Sequence, residues 1–138
     1  QMTPESIRKE VASINESLKN GKEVAQVPAY LQTLFRPSVQ PYLISWYKYN
    51  PQTVIASLKM PILILQGKKD IQVQEEEAAR LKKASPQAEL ILIDKMNHVL
   101  KDCESINPQQ QMAVYNNPSL PVNAALINAI AEFIKKNK

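Results

Sequence analysis

The stretch that decides the fold is LILQGKKDIQV, residues 63–73. An apolar run, ILIL at 62–65, leads into Gln66 and then Gly67, one of only two glycines in the chain. Asp70 follows three positions after Gly67. A second apolar run, LILI at 90–93, ends at Asp94. Neither run alternates between apolar and polar residues, which is typical of strands covered on both faces of a parallel sheet. The two runs therefore predict parallel strands.

The segment between the two strands predicts a helix. Residues 74–84, QEEEAARLKKA, carry three glutamates at the start and two lysines near the end. Negative charge at the N-terminus of a helix and positive charge at its C-terminus suit the helix dipole. Strand, helix and strand in about thirty residues form a βαβ unit, whose crossover is almost always right-handed. The fold class predicted for this part of the chain is α/β.

The segments before and after this unit predict helices and no strand. Thr3 and Pro4 resemble a cap followed by the first helical residue, Asn20-Gly21 resembles a stop, and Ile7, Val11, Ile14 and Leu18 form an apolar stripe between them. Shorter helices are predicted at 28–36, 38–48 and 51–58, and a closing amphipathic helix at 121–136 follows a long polar stretch at 99–120. The apolar stripe of this closing helix consists of Leu126, Ile127, Ile130, Phe133 and Ile134. The predicted organisation is a helical segment at 1–50 and an α/β segment at 51–138.

Composition excludes several classes of function. The net charge is +4, but the basic residues are scattered, and nucleic-acid binding calls for a basic stripe. No run approaches the roughly 18 apolar residues that span a bilayer. The single Cys103 excludes a disulfide within the chain and a cysteine metal cluster. We therefore expect no nucleic-acid partner, no membrane span, no metal and no cofactor.

Two polar residues follow the predicted strands. Asp70 lies five positions after Leu65, and His98, the only histidine, lies five positions after Ile93. The carboxyl ends of parallel strands meet at one edge of the sheet, where α/β folds place their ligands, so an Asp–His hydrogen bond is feasible. Such a bond fixes the imidazole tautomer and leaves the other nitrogen free as a base. The alternatives are a turn aspartate and a surface or core histidine.

Residues 61–98 resemble the C-terminal part of an α/β-hydrolase. QGKKD at 66–70 is similar to the strand–Gly–x–x–Asp turn that carries the acid in this family, and MNHV at 96–99 is similar to its histidine loop. LFRPSVQPYLISWYKYNP at 34–51 further resembles serine hydrolases near the monoacylglycerol-lipase and serine-aminopeptidase group. The resemblance implies that Asp70 is the acid, His98 the general base, 1–50 a cap or lid, and 121–137 the closing helix.

The serine nucleophile of this family lies in a G-x-S-x-G turn, which these 138 residues do not contain because glycine occurs only at 21 and 67. The resemblance therefore implies the C-terminal portion of a serine hydrolase that acts on an ester or amide of a small acyl substrate. The serine would lie upstream, and this portion alone is expected to be inactive. Lys95-Met96-Asn97 departs from the family pattern, in which a glycine often precedes the histidine. Cys103 is a poor substitute nucleophile, because no predicted helix N-terminus lies near it to acidify the thiol.

An alternative function is a non-catalytic interaction module that completes its sheet by dimerisation or by swapping elements. Two strands alone leave sheet edges open, and an open edge favours association with another chain. We therefore expect a homo-oligomer that buries either a strand edge or the stripe at residues 7–18. The aromatic residues of the N-terminal segment are compatible either with an apolar acyl pocket or with core packing: Tyr30, Phe35, Tyr42, Trp46, Tyr47 and Tyr49.

Overall fold

The computed structural model describes residues 4–138 and has mixed helix and strand content. The chain divides into two compact units, one ending at Asn50 and the other comprising Pro51–Lys138. Each unit has its own hydrophobic core. Thr3, the predicted N-cap of the first helix, lies outside the described residues.

The N-terminal unit is helical. Its elements are α1 (Glu5–Lys19), a 3₁₀ turn (Ala29–Leu31), α2 (Gln32–Phe35), a 3₁₀ turn (Pro37–Val39) and α3 (Gln40–Tyr47). The end of α1 at Asn20-Gly21 is confirmed, and Gly21 has the positive φ of 72° that favours glycine at this position. The two other predicted helices of this unit each begin with a 3₁₀ turn, so they are shorter than the sequence indicates.

The core of the N-terminal unit contains the predicted stripe of α1. Ile14 and Leu18 are buried against Val27, Leu31 and Phe35. This unit therefore covers the stripe by itself, so the stripe does not offer the surface for association that the sequence suggested. Of the six aromatic residues named above, only Phe35 is buried, and the other five are exposed, so core packing does not explain them.

The C-terminal unit contains the sheet. Its elements are α4 (Pro51–Ser57), β1 (Leu63–Gly67), α5 (Glu75–Ala84), β2 (Glu89–Ile93), α6 (Pro108–Tyr115) and α7 (Ala124–Lys136). The polar stretch at 99–120, for which the sequence predicted no helix or strand, contains α6. Helix α7 begins three residues later than expected, because the side chain of Asn123 caps it by accepting a hydrogen bond from the Leu126 amide at 2.9 Å.

The two strands pair in parallel, as the apolar runs predicted. Leu63 pairs with Glu89 and Gly67 with Ile93, so both strands end at the same edge. Within residues 4–138 the sheet has no third strand, which leaves the outer edges of β1 and β2 unpaired.

Helices pack against both faces of the sheet. On one face, Ile64 packs with Ala78 of α5 and Ala88, and residues of α4 extend this cluster. On the other face, Ile93 packs with Met96 and with Leu126 of α7. This three-layer arrangement explains the unbroken apolar runs of the strands, since each strand contributes side chains to both clusters.

Part of the apolar surface remains uncovered. In the predicted stripe of the closing helix, Leu126 is buried and Phe133 is half-buried, whereas Ile127, Ile130 and Ile134 are exposed. The stripe is therefore only partly covered by the rest of the described chain. Among residues 4–138, no helix has both the length and the apolar character needed to cross a lipid bilayer.

Candidate functional site

Asp70 lies in a tight turn directly after β1. The turn is closed by the Asp70 amide, which donates to the Gly67 carbonyl at 3.2 Å. One carboxylate oxygen, Oδ1, accepts hydrogen bonds from the backbone amides of Gln72 at 2.8 Å and Val73 at 2.9 Å. These two bonds fix the carboxylate and leave its second oxygen, Oδ2, available for another partner. Asp70 is thus a turn residue, as the alternative interpretation held. The turn involves only Oδ1 of its carboxylate, and Oδ2 has no partner within the turn.

His98 lies in a second turn, which follows β2. Met96 and Asp102 form an antiparallel bridge, and between them the Leu100 amide donates to the Asn97 carbonyl at 3.0 Å. Leu100 has a positive φ of 62°, which is uncommon for a residue other than glycine. The side chain of Asn97 stabilises the turn by accepting from the Lys101 amide at 3.1 Å. This short hairpin carries the histidine to the edge of the sheet.

The two turns bring Asp70 and His98 together. Asp70 Oδ2 lies 2.9 Å from Nδ1 of His98. The Asp70 side chain is 9% exposed and that of His98 39% exposed, so the carboxylate is largely covered whereas the imidazole reaches solvent. No described residue makes a hydrogen bond with Nε2 of His98. This geometry holds the proton on Nδ1 in the neutral imidazole and presents Nε2 as an acceptor.

The electrostatic environment favours an ionised Asp70. Burial acts to raise the pKa of its carboxyl group, but hydrogen bonds from the Val73 amide, from His98 and from the Gln72 amide outweigh it and hold the pKa below the usual value. Asp70 is therefore a carboxylate at neutral pH, the form that can orient the imidazole and stabilise its protonated state.

The strand register differs from the one that the sequence suggested for Asp70 and His98. The sequence suggested equal offsets after Leu65 and Ile93, but Leu65 pairs with Ile91, and Ile93 pairs with Gly67. Asp70 is therefore three residues beyond its strand, and His98 is five residues beyond the paired position. Strand β1 extends to Gly67 because it continues to pair with β2 past the apolar run.

Gly67 lies where the loop that carries His98 packs against the end of β1, and this position requires glycine. A Cβ at this position would lie 2.1 Å from the carbonyl oxygen of Met96 and 2.7 Å from its carbonyl carbon. The Lys69 amide also donates to that oxygen at 3.0 Å. The backbone of the histidine loop thus lies directly against the end of β1, and only glycine allows this approach.

Two buried glutamines that the sequence does not single out lie beside these loops. Gln111 on α6 is fully buried and donates to the carbonyls of Lys69 at 2.9 Å and Ser105 at 2.6 Å. It also accepts from Asn97 Nδ2 at 3.2 Å. Gln66 of β1 is buried too, and its side chain donates to the Val73 carbonyl at 3.0 Å. The sequence around these two glutamines carries no signal of such a role, because only the fold places their side chains beside carbonyl groups that lack other partners.

Cys103 has a structural position. It is buried, its amide donates to the Lys95 carbonyl at 2.7 Å, and its thiol donates to the Ser105 carbonyl at 3.2 Å. Such a buried thiol is not presented to a substrate. In the part of the chain that the structure describes, no group of three or more His, Cys, Asp or Glu side chains could hold a metal ion.

A surface cavity of about 360 Å³ lies beside Asp70. It is lined by Lys68, Asp70, Gln74, Glu75 and Glu76. Its lining is polar and mostly charged, which suits water or a polar group better than an apolar acyl chain.

No family model, curated protein or solved structure matches this chain.

Proposed function

We propose that this chain supplies the acid and the histidine of a Ser-His-Asp triad in a serine hydrolase of the α/β-hydrolase fold, acting on an ester or amide of a small acyl substrate. The single observation that supports the proposal most is the 2.9 Å contact between Asp70 Oδ2 and His98 Nδ1. The contact lies beyond the carboxyl ends of two parallel strands, the edge at which α/β folds bind their ligands. In this proposal, residues 1–50 serve as the cap.

The proposed roles follow from triad chemistry. The hydroxyl of a serine attacks the acyl carbon while Nε2 of His98 accepts the hydroxyl proton. His98 then donates that proton to the leaving alcohol or amine as its bond to the acyl carbon breaks. Water attacks the acyl-serine in the same way, and His98 returns a proton to the serine oxygen. Throughout this cycle the Asp70 carboxylate holds the tautomer and stabilises the imidazolium.

The nucleophile must come from outside these 138 residues. A sharp strand-to-helix turn needs glycines around its serine, and both glycines of this chain are committed elsewhere, Gly21 to the end of α1 and Gly67 to the contact with Met96. The lining of the cavity beside Asp70 is polar, so the pocket for the acyl group would also be formed by other residues.

Labelling with a fluorophosphonate tests this proposal. We expect the 138-residue chain to remain unlabelled, because it has no activated serine. The product of the complete coding sequence that contains these residues should be labelled on one serine, within a G-x-S-x-G turn located by mass spectrometry. In that product, the His98→Ala variant should label at least about a hundredfold more slowly, since the base that activates serine is missing. Labelling of a serine within residues 1–138, or rapid labelling without His98, would contradict the proposal.

A second function, a non-catalytic module that associates with a second copy, is favoured by the exposed apolar surface. The outer edge of β2 is unpaired, and Leu92 in this strand is 39% exposed. A groove of about 400 Å³ lies along residues 91–95 and reaches Asp102, Asn123 and Ala125. The open strand edge and this groove offer backbone hydrogen bonds and apolar contact to an identical strand.

Association is measurable by light scattering. We expect the chain to be a dimer or larger species at micromolar concentration, because burial of the β2 edge satisfies its free amide and carbonyl groups. Replacing Leu92 with lysine should shift the chain toward monomer, since a charge on an edge strand opposes pairing. Replacing Met60 with lysine is a matched control, because Met60 is also exposed and lies outside the sheet. A wild-type monomer over this concentration range would contradict the second function.

A further inference from the structure

One buried side-chain amide on α6, that of Gln111, makes hydrogen bonds with the residue before Asp70 and with the residue before His98. Gln111 donates to the carbonyl of Lys69, which immediately precedes Asp70, and accepts from the side chain of Asn97, which immediately precedes His98. Both loops are thus attached to one side chain that belongs to neither of them.

Both polar atoms of the Gln111 side chain have partners, and three of its four possible hydrogen bonds are made. Its two N–H groups bind the carbonyls of Lys69 and Ser105, and its oxygen binds Asn97. Gln111 is 0% and Asn97 1% exposed, so water cannot replace these bonds when the side chain is changed. A buried polar group that loses its partner destabilises its local arrangement more than the average hydrogen bond stabilises it.

The pair depends on such support because its own contact is a single bond. Nδ1 of His98 has one partner, Asp70 Oδ2, and the imidazole is otherwise partly in solvent. The Asp70 carboxylate is fixed to its own turn by the amides of Gln72 and Val73. The spacing of the two turns therefore sets the 2.9 Å distance, and the turns are joined both by the backbone bond from Lys69 to Met96 and by Gln111.

We infer that Gln111 is a positioning residue of the Asp70–His98 pair. It holds the acid turn through Lys69 and the histidine turn through Asn97, so that the carboxylate meets Nδ1 and Nε2 stays free. Its relevance to catalysis rests on the proposed function, whereas its effect on the pair can be measured in this chain without any activity.

The nitrogen NMR spectrum of the imidazole tests this inference. His98 is the only histidine, so a ¹⁵N-labelled chain gives one set of imidazole signals. With the imidazole neutral, the wild type should show a protonated Nδ1 and an unprotonated Nε2. In Gln111→Glu the carboxylate cannot donate to the Lys69 and Ser105 carbonyls. We therefore expect the nitrogen shifts to move toward tautomer averaging and the Nδ1 proton to exchange about tenfold faster or more, as for the loss of a buried hydrogen bond.

Gln110→Glu is the matched control, because it makes the same chemical change at the adjacent, exposed position of α6. Its imidazole spectrum should equal that of the wild type. If Gln111→Glu does not fold, Gln111→Asn is measured instead: it keeps the amide but is one methylene too short to span its partners. An unchanged His98 spectrum in a folded Gln111 variant overturns the inference. Global unfolding of both variants overturns it too, since Gln111 would then support the whole unit. A wild-type spectrum without a protonated Nδ1 overturns the pair itself, and the proposed function with it.

Discussion

Under the proposed function, replacing Asp70 with asparagine is expected to lower the turnover of the product of the complete coding sequence by about ten-thousand-fold, as the same change does in a known Ser-His-Asp enzyme. The asparagine oxygen can still accept from the amides of Gln72 and Val73, so the turn should persist. Its NH₂ group then faces Nδ1 of His98, which forces the proton onto Nε2. The histidine can no longer accept the serine proton, and no carboxylate stabilises the imidazolium.

The measurement is turnover on a short acyl ester together with the thermal midpoint. His98→Ala should reduce turnover at least as much, and the double variant should lose little more, because triad members act as a unit. Asp94→Asn is the control: Asp94 follows the neighbouring strand, but its carboxylate pairs with Lys68 at 2.7 Å on the surface. Near-normal turnover in Asp70→Asn, or loss of turnover caused by unfolding, would assign Asp70 a turn role only.

The second large effect concerns stability. We expect Gly67→Ala to destabilise the C-terminal unit by about 3 kcal/mol or more, because overpacking here involves backbone rather than a flexible side chain. The new Cβ would lie 2.1 Å from the Met96 carbonyl oxygen, which also accepts from the Lys69 amide. Relief of this clash requires the histidine loop to move away from β1, which also separates Asp70 from His98.

Chemical denaturation measures this effect, with the His98 resonances reporting on the C-terminal unit and the fluorescence of Trp46, the only tryptophan, reporting on the N-terminal unit. Gly21→Ala is the matched control, because a Cβ at Gly21 would have no atom within 4 Å and only its positive φ opposes the change. In that variant the free energy of unfolding should fall by about 1 kcal/mol, and only for the N-terminal unit. Equal and small losses for the two variants would show that the Met96 loop adapts easily.

The sequence by itself determined the parallel βαβ unit, because unbroken apolar runs and a charge-ordered helix are local signals. The same holds for α1, whose end at Asn20-Gly21 and whose stripe through Ile14 and Leu18 both occur as predicted. The sequence also singled out Asp70 and His98, since parallel strands must end at one edge. Their role as acid and base stays a proposal.

Only the tertiary structure decided how these two residues meet. The register that pairs Gly67 with Ile93 cannot be deduced from two apolar runs, since a run without alternation allows several alignments. Helix α6 lacks a clear apolar stripe, so the sequence does not predict it within the polar stretch at 99–120. Gln111 became informative only when folding placed it against the carbonyls of Lys69 and Ser105, because a buried hydrogen bond depends on partners that are distant along the chain.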